Sequence, residues 1–217
     1  MIFPESIIAH EWIDPVDTIE CRGVEFGAAS HNPFGFINCI YADREIPKIG
    51  TPYYIEQTRM SGSIEKIDVF ATLGENLPFN DASFDYIITS HVLEHVWDLI
   101  SCFHEMKRIL KPNGLMVHII PHMERIPDEG TTPTAWDELI MRNNNKHLNP
   151  CCDVHHSAFN TQSFLKIIKN FNWIRVVEVL DVDDKVGNGF LVVMQYKATP
   201  NSIKIFNFLA KKIKVML

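Results

Sequence analysis

The sequence has no long hydrophobic run and fewer basic than acidic residues. No apolar stretch approaches the roughly 18 residues of a membrane-spanning helix. Twenty Lys and Arg against 27 Asp and Glu give a net charge of −7, which argues against binding along a nucleic-acid backbone. The first residues also lack the basic segment and long apolar core of a signal peptide. We therefore expect a cytoplasmic protein without a nucleic-acid partner.

The five cysteines show neither the spacing of a disulfide framework nor that of a structural zinc site. This usage is typical of reduced thiols in the cytosol. Residues of metal-ligand type do occur close together in the second half: His122, Cys151, Cys152, Asp153, His155 and His156. However, the adjacent Cys and His pairs lack the two-residue spacers of zinc motifs, so we expect no metal.

Four short apolar runs predict β-strands, and polar or small residues follow them. The runs lie within residues 19–30, 36–43, 67–70 and 85–89. Strand signals recur at distances that allow crossover connections, which join parallel strands. The chain has 217 residues, 46% of them hydrophobic, which suits one domain with one core.

A strand, helix and strand are predicted next along the chain. Apolar residues at steps of three and four over residues 92–110 predict an amphipathic helix. A Lys-Pro-Asn-Gly segment at 111–114 is expected to end it, and residues 115–120 predict the fifth strand. These elements make a βαβ unit, which is almost always right-handed.

The second half contains a long irregular segment and then a predicted hairpin. Residues 121–160 are rich in Pro, Asn, His and Thr, which favours a cover over a substrate, with a short helix near 135–141. Thr161 is the expected N-cap of another helix. Strands at 174–180 and 190–196 are joined by a link too short for a crossover helix, so they should be antiparallel.

One block of motifs resembles the type 11 subgroup of the class I S-adenosylmethionine-dependent methyltransferases. In order, the matching residues are Leu77, Pro78, Phe79, Ser83, Phe84, Asp85, Leu93, Glu94, His95, and Leu110, Lys111, Pro112, Asn113, Gly114. The resemblance implies an α/β fold over residues 1–197. That fold is Rossmann-like and doubly wound, with a seven-stranded, mostly parallel sheet and a C-terminal antiparallel hairpin. It also implies S-adenosylmethionine as the cofactor.

The resemblance places the cofactor at the ends of the first four strands. The residues implied are Glu25, Gly27, Ala28 and Ser30 in the first loop, Asp43 at the ribose, Leu73, Gly74 and Glu75 near adenine, and Ser90 and His91 at the methionine end. Asp43 otherwise reads as a solvated turn acid.

Two departures from the family pattern leave a second reading open. Only Gly27 remains of the usual three glycines, and Leu73 stands where the family carries an acid facing adenine. These features favour the alternative of a non-catalytic methyltransferase-fold protein that scaffolds a partner. A nicotinamide-dependent dehydrogenase is a third alternative, and the terminal antiparallel pair argues against it.

Histidines supply the candidates for catalysis. A hydroxyl acceptor benefits from a base, and His titrates near neutral pH. The candidates are His122, after the fifth strand, and His155 and His156, where the irregular segment ends. His91 and His95 are expected on one face of the predicted helix, with backbone hydrogen bonding as the other role for His95. The segment around His155 resembles that of methyltransferases in surface-polysaccharide pathways, which implies a small-molecule or sugar acceptor and a role in polysaccharide biosynthesis.

Residues 198–217 carry four lysines, no acid and an apolar stripe at helical spacing. The pattern predicts a cationic amphipathic helix. Such a helix packs on its own domain, packs on a partner, or lies on an anionic membrane surface as a peripheral contact. The oligomeric state is left open by the sequence.

Overall fold

The computed structural model describes residues 6–14, 21–28, 34–36, 38–44, 50, 54–55, 58–59, 66–126, 131–149 and 154–197. Seven strands form one sheet in the order β3-β2-β1-β4-β5-β7-β6. They are β1 (Gly23–Phe26), β2 (Cys39–Asp43), β3 (Val69–Phe70), β4 (Phe84–Ser90), β5 (Leu110–Pro121), β6 (Ile174–Leu180) and β7 (Gly189–Tyr196). The first five pair in parallel, whereas β7 runs antiparallel to both β5 and β6. The predicted sheet and terminal hairpin are therefore confirmed.

Helices cover both faces of this sheet. The described α-helices are α1 (Ile7–Ile13), α2 (Leu99–Ile109), α3 (Trp136–Asn144) and α4 (Thr161–Ile168), and short 3₁₀ turns span Leu93–His95 and Lys146–Leu148. Phe103 of α2 and Phe164 of α4 belong to the core on one face. Ala9 and Ile13 of α1 belong to the core on the other. Since β4 and β5 are covered on both sides, their sequences are nearly continuous apolar runs.

The strand order reverses at β1, which pairs with β2 on one side and β4 on the other. In open α/β sheets, ligands bind in the crevice outside the carboxyl ends of the strands at such a switch point. Phe26 and Thr89 are opposite each other near those ends. The fold therefore directs attention to the loops that follow β1 and β4.

The helix predicted from residue 92 begins later than expected. His91 has a φ of +54°, and a 3₁₀ turn follows it. Asp98 is the N-cap, because its carboxylate accepts the Ser101 N–H at 3.0 Å. His91 and His95 therefore do not share a helical face, and that prediction is wrong.

Other element bounds shift by smaller amounts. The Lys-Pro-Asn-Gly segment lies inside β5, where the pairing with β4 is irregular, and does not separate helix from strand. Asn160, not Thr161, is the N-cap of α4, and it forms a capping box with Ser163. The short helix expected near 135–141 is α3. None of the described helices has the length and apolarity needed to cross a bilayer. The predicted helix at 198–217 lies outside the described residues.

The loop between β6 and β7 is held by its own acidic side chains. The Asp183 carboxylate accepts backbone N–H groups from four residues: Lys185, Val186, Gly187 and Gly189. Asp184 accepts the Ser6 hydroxyl at 2.6 Å and the Ile8 N–H at 2.9 Å, at the start of α1. We call residues 181–189 the hairpin loop. Its fixed shape positions Asn188 at the end of β5.

Candidate functional site

The loop after β1 requires glycine at its first position. Gly27 has a φ of +78°, and its N–H donates to the Ala42 carbonyl at 2.9 Å. A Cβ at Gly27 would lie 2.4 Å from Cγ2 of Val92. Both the backbone conformation and the close approach therefore exclude a side chain here. Gly27 is the one of the three family glycines that this chain keeps.

Two other residues expected at the cofactor in this loop, Glu25 and Ala28, are buried in the protein. Glu25 is buried, and its Oε2 accepts the Phe34 N–H at 3.2 Å. Ala28 is also buried. Ser30 lies outside the described residues. The Glu25 side chain thus links Phe34, which follows the loop, to β1.

Asp43 lies at the carboxyl end of β2, as expected. Its Oδ1 accepts the Arg44 N–H at 2.7 Å, and its carbonyl accepts the Ala71 N–H at 2.9 Å. The side chain is half-buried. This placement is compatible with the predicted ribose contact, which stays a prediction.

The loop between β3 and β4 is held by α2. Leu73 packs against the core, Gly74 has a φ of +93°, and Glu75 is exposed. Gly74 also approaches α2 closely, because a Cβ there would lie 3.3 Å from the Asp98 carbonyl oxygen. The Leu73 side chain is thus partly buried against the core and is not a solvent-exposed loop residue.

A charged pair on α2 fixes the Leu-Pro-Phe motif. Arg108 donates to the carbonyls of Leu77 at 2.9 Å and Phe79 at 2.7 Å. Glu105 accepts the Leu77 N–H at 2.9 Å, and hydrogen bonding from Arg108 holds the pKa of Glu105 below its usual value. The motif is therefore explained by how it fastens the loop to α2.

His91 occupies the turn directly after β4 and is held at both ends. Its N–H donates to the Ile119 carbonyl at 2.9 Å, and its Nε2–H donates to Asn188 Oδ1 at 2.9 Å. That bond leaves Nδ1 as the acceptor, 3.4 Å from the Ser90 hydroxyl. Ser90 itself is buried.

The electrostatic surroundings of His91 favour its neutral form. Burial is the main cause that lowers its pKa. The hydrogen bond to Asn188 and the Asp183 carboxylate oppose this effect, whereas His155 and Lys185 add to it. A neutral imidazole with a fixed tautomer is suited to accept a proton.

The end of the irregular segment packs on the turn after His91. The N–H groups of His156 and Ser157 donate to the Glu94 carbonyl at 2.8 and 3.0 Å. His95 donates its Nδ1–H to the Val154 carbonyl at 3.2 Å. The rings of His95 and His155 meet edge to face, 4.8 Å between centroids. We call residues 154–159, at the end of the segment 121–160 that is predicted to cover a substrate, the cover.

Arg142 of α3 fastens the cover from behind. Its side chain is buried and donates to the Ser157 hydroxyl at 2.9 Å, to the His156 carbonyl and to Glu138. The guanidinium carbon also lies 5.1 Å from the centre of the Trp97 ring. Trp97 in turn meets the His156 ring edge to face at 5.4 Å. The position of the cover is therefore set by α3.

The three histidines predicted to be catalytic have different surroundings. His155 is exposed beside His95, whereas the half-buried His156 packs on Trp97. His122 is buried, donates its N–H to the Asn188 carbonyl at 3.1 Å, and accepts the Glu124 N–H on Nδ1 at 3.3 Å. Asn188 thus contacts both His91 and His122. His155 joins His95 and Glu94 instead.

His118 illustrates a histidine with a structural role. It is fully buried in β5, and its Nδ1 lies 2.8 Å from the Thr89 hydroxyl. Burial lowers its pKa to about 3. His118 is therefore neutral at physiological pH and part of the core.

Asn188, Arg142 and Glu94 were not among the predicted site residues. Asn188 stands between two glycines in a link that reads as a turn, and nothing in the sequence pairs it with His91. Arg142 resembles an exposed cation at the end of a short helix. Glu94 was noted only as part of a motif. In each case the contact joins residues distant along the chain.

Comparisons with known proteins find sequence similarity to methyltransferases. A family model described as a methyltransferase domain, type 11, matches residues 50–118. A demethylmenaquinone methyltransferase of Staphylococcus epidermidis is 37% identical over 67 residues, which are 31% of this chain and 28% of that protein. The Bacillus subtilis demethylmenaquinone methyltransferase is 34% identical over 62 residues, 29% of this chain and 27% of that protein.

A solved structure extends the likeness to most of the chain. A protein from Methanococcus maripaludis, described as an S-adenosylmethionine-dependent methyltransferase, covers 89% of this chain and 85% of its own at 16% identity. Its TM-score is 0.50, a likeness of fold. The matches to the demethylmenaquinone enzymes span less than a third of their lengths. The resemblance to the type 11, class I S-adenosylmethionine-dependent methyltransferases is confirmed, with its sequence support in the central segment.

Proposed function

We propose that this chain is a class I methyltransferase of type 11 and transfers a methyl group from S-adenosylmethionine to a small molecule. The observation that carries the proposal is the arrangement at the switch point. The glycine turn after β1 and the hydrogen-bonded histidine after β4 lie at the same edge of the sheet. The family uses this edge for its cofactor.

Methyl transfer depends chiefly on alignment. The acceptor atom attacks the methyl carbon as the bond to sulfur breaks, so catalysis comes largely from holding the three atoms in line. Gly27 would allow the backbone to approach the methionine part of the cofactor, and Asp43 would accept the ribose hydroxyls. Ser90 would line the methyl end, between cofactor and acceptor.

For a hydroxyl acceptor, His91 is the group best placed to take the proton. It is held in one tautomer by Asn188, and burial keeps it neutral. Two of the three histidines predicted to be catalytic are engaged in other contacts. His156 packs on Trp97, and the Nδ1 of His122 accepts the Glu124 N–H. His155 is exposed on the cover, where it would face the acceptor. This assignment refines the choice of base without changing the reaction.

The acceptor is proposed to be a small polar molecule, with sugars included. The acidic net charge disfavours a nucleic-acid acceptor, and the irregular segment 121–160 is rich in polar side chains. Demethylmenaquinone is named for the bacterial relatives, so a quinone belongs in the substrate panel.

Calorimetric titration with S-adenosylmethionine and S-adenosylhomocysteine tests the cofactor. Mass spectrometry after incubation with a panel of sugars, phenols and quinones then tests for a methylated product. We expect binding of both ligands and one methylated class. Failure to bind at millimolar S-adenosylmethionine would refute the proposal. Binding without turnover, together with a stable protein partner in pull-downs, would instead favour the scaffold alternative.

The pH dependence of turnover tests His91. Since its pKa is lowered, activity should persist to mildly acidic pH and then fall as His91 becomes protonated. His91→Asn should reduce turnover and flatten this acidic limb while leaving the affinity for S-adenosylhomocysteine within about threefold. An unchanged acidic limb in His91→Asn would assign the proton to another group.

A further inference from the structure

Glu94, His95 and His155 form a compact group where the turn after β4 meets the cover. Each offers one ligand atom, and these atoms lie within 4.8 Å of one another. Glu94 is buried, His95 is half-buried and His155 is exposed. We call these three residues the Glu94 cluster. It is closed on the protein side and open toward solvent.

We propose that the Glu94 cluster binds a divalent cation of the zinc or manganese class through two imidazoles and one carboxylate. Two histidines and one carboxylate are a ligand set of catalytic metal sites, which keep further positions open for water or substrate. Glu94 Oε1 and His95 Nε2 are 3.7 Å apart. Tetrahedral zinc ligands about 2.0–2.1 Å from the metal lie about 3.3 Å from each other, so side-chain rotations must bring the three ligand atoms, now within 4.8 Å of one another, closer together.

Surrounding contacts orient the ligands. His95 donates its Nδ1–H to the Val154 carbonyl, which leaves the lone pair on Nε2 directed toward Glu94. A metal-binding histidine commonly donates its other ring N–H in this way. The Glu94 backbone is held by the His156 and Ser157 N–H groups. Arg142, in turn, fixes both of these cover residues.

The burial of Glu94 supports a positive partner at this place. A buried carboxylate is costly unless a cation or hydrogen-bond donors compensate it. Protonated His95 at 3.7 Å would supply that charge in the absence of metal, and it is the competing explanation. A cation bound by Glu94, His95 and His155 together would supply more charge and would also explain why the cover brings His155 to this point.

The cluster differs from the metal-ligand types noted in the sequence. Those residues are His122 and neighbours within 151–156, of which the cluster shares only His155, and the sequence leads us to expect no metal. The fold instead draws two ligands from the turn after β4 and one from the cover. Only their meeting in three dimensions suggests a site.

A cation here would act on the acceptor, and this role depends on the proposed methyltransferase function. A divalent ion lowers the pKa of a coordinated hydroxyl and orients its oxygen. The hydroxyl proton would pass to the neutral His91, whose charge state is influenced by His155. The oxygen would then attack the methyl carbon. An acceptor with two adjacent oxygens would suit the open positions.

Metal binding can be measured without turnover. Protein stripped with chelator is titrated calorimetrically with Zn²⁺ and Mn²⁺, and with Co²⁺ while visible absorption is recorded. We expect one high-affinity equivalent and a Co²⁺ spectrum typical of mixed nitrogen and oxygen ligands. His155→Ala and Glu94→Gln should each weaken binding at least tenfold. His147→Ala, at an exposed histidine away from the cluster, should match the parent protein.

Two results would overturn the site: metal affinity no higher in the parent than in His155→Ala, or a stoichiometric site that persists in both variants. His155 is exposed, so its variant remains informative even if Glu94→Gln fails to fold. S-adenosylhomocysteine binding is measured on the same samples. If the parent protein binds S-adenosylhomocysteine but no metal, this inference alone is refuted, whereas metal binding without cofactor binding refutes the proposed function.

Discussion

The proposed cofactor edge and the proposed acceptor side of this molecule are held together by different means. The cofactor edge comprises the ends of β1 to β3 and the loop to β4. It is shaped by backbone hydrogen bonds, by positive φ angles and by the Arg108 side chain, which donates to two carbonyls of that loop. The acceptor side comprises the turn after β4, the end of β5, the cover and the hairpin loop. There, side chains from distant segments bond to one another, as His91 does to Asn188 and Arg142 to Ser157.

This contrast has a functional meaning. A shape made by the backbone tolerates side-chain changes, so the loop after β1 can carry alanines where the family has glycines. A shape made by paired side chains depends on each partner, because a buried polar group that loses its partner costs about 1–3 kcal/mol. We therefore expect substitutions on the acceptor side to affect stability and substrate choice more than cofactor affinity.

The largest effect is expected from Arg142→Met. The change removes the donor that holds the cover and leaves the His156 carbonyl and the Ser157 hydroxyl without it. The free energy of unfolding should fall by about 3 kcal/mol. Urea denaturation measures this change. The exposed Arg175→Met is the matched control and should stay within about 0.5 kcal/mol of the parent. Equal losses in both variants would contradict the role assigned to Arg142.

The next effect concerns His118, below the acceptor side, and appears in the pH dependence of stability. Its folded pKa of about 3 lies below the ordinary value, so the unfolded chain binds this proton first as pH falls. Its contribution to the free energy of unfolding should fall by about 1.4 kcal/mol per pH unit below pH 6.5, or about 2 kcal/mol at pH 5.

Denaturation at several pH values tests this expectation. His118→Asn should give a shallower loss of stability between about pH 6.5 and 4, because the titrating group is gone. His147→Asn, at an exposed histidine, should keep the slope of the parent. A slope that is the same in His118→Asn as in the parent would mean that His118 does not carry this dependence.

A pair of glycine variants compares the two regions directly. Gly27→Ala and Gly187→Ala both place a side chain at positive φ, but a Cβ meets Val92 only at Gly27, since Gly187 has open space. Gly187→Ala should lose about 1 kcal/mol of stability from its positive φ, and Gly27→Ala should lose more because its Cβ also clashes with Val92. Only Gly27→Ala should also weaken S-adenosylhomocysteine binding, by about tenfold in calorimetry. A similar loss of affinity in Gly187→Ala would break the distinction between the regions.

The smallest effect is expected from Asn188→Ala. The change removes the acceptor that fixes the His91 tautomer and should lower kcat/KM for the methyl acceptor about fivefold, equivalent to about 1 kcal/mol. Cofactor affinity should stay within about twofold. Asn144→Ala, at an exposed position in α3, serves as the control in steady-state kinetics. Equal losses in kcat/KM for the acceptor and in affinity for the cofactor would show that Asn188 affects both proposed binding sites.

Sequence reasoning predicted the framework well and the contacts poorly. Strands β6 and β7 and their antiparallel pairing were expected from two apolar runs and a short link. The helix start at residue 92 was wrong, because apolar spacing continues through residues 92–96 although the Asp98 side chain caps the helix later. The Thr161 cap was misplaced by one residue, since Asn160 and Ser163 cap each other. Local hydrogen bonds decided both boundaries.

The sequence by itself determined the succession of strands along the chain, the terminal hairpin and the family resemblance of the central segment, because apolar periodicity and short motifs are local properties of the chain. Tertiary structure alone decided which polar groups meet: His91 with Asn188, 97 positions apart, and Glu94 and His95 with His155. A buried polar group needs a partner, but spacing along the chain does not say which one. The path of the fold supplies that choice, and with it the proposed acceptor site.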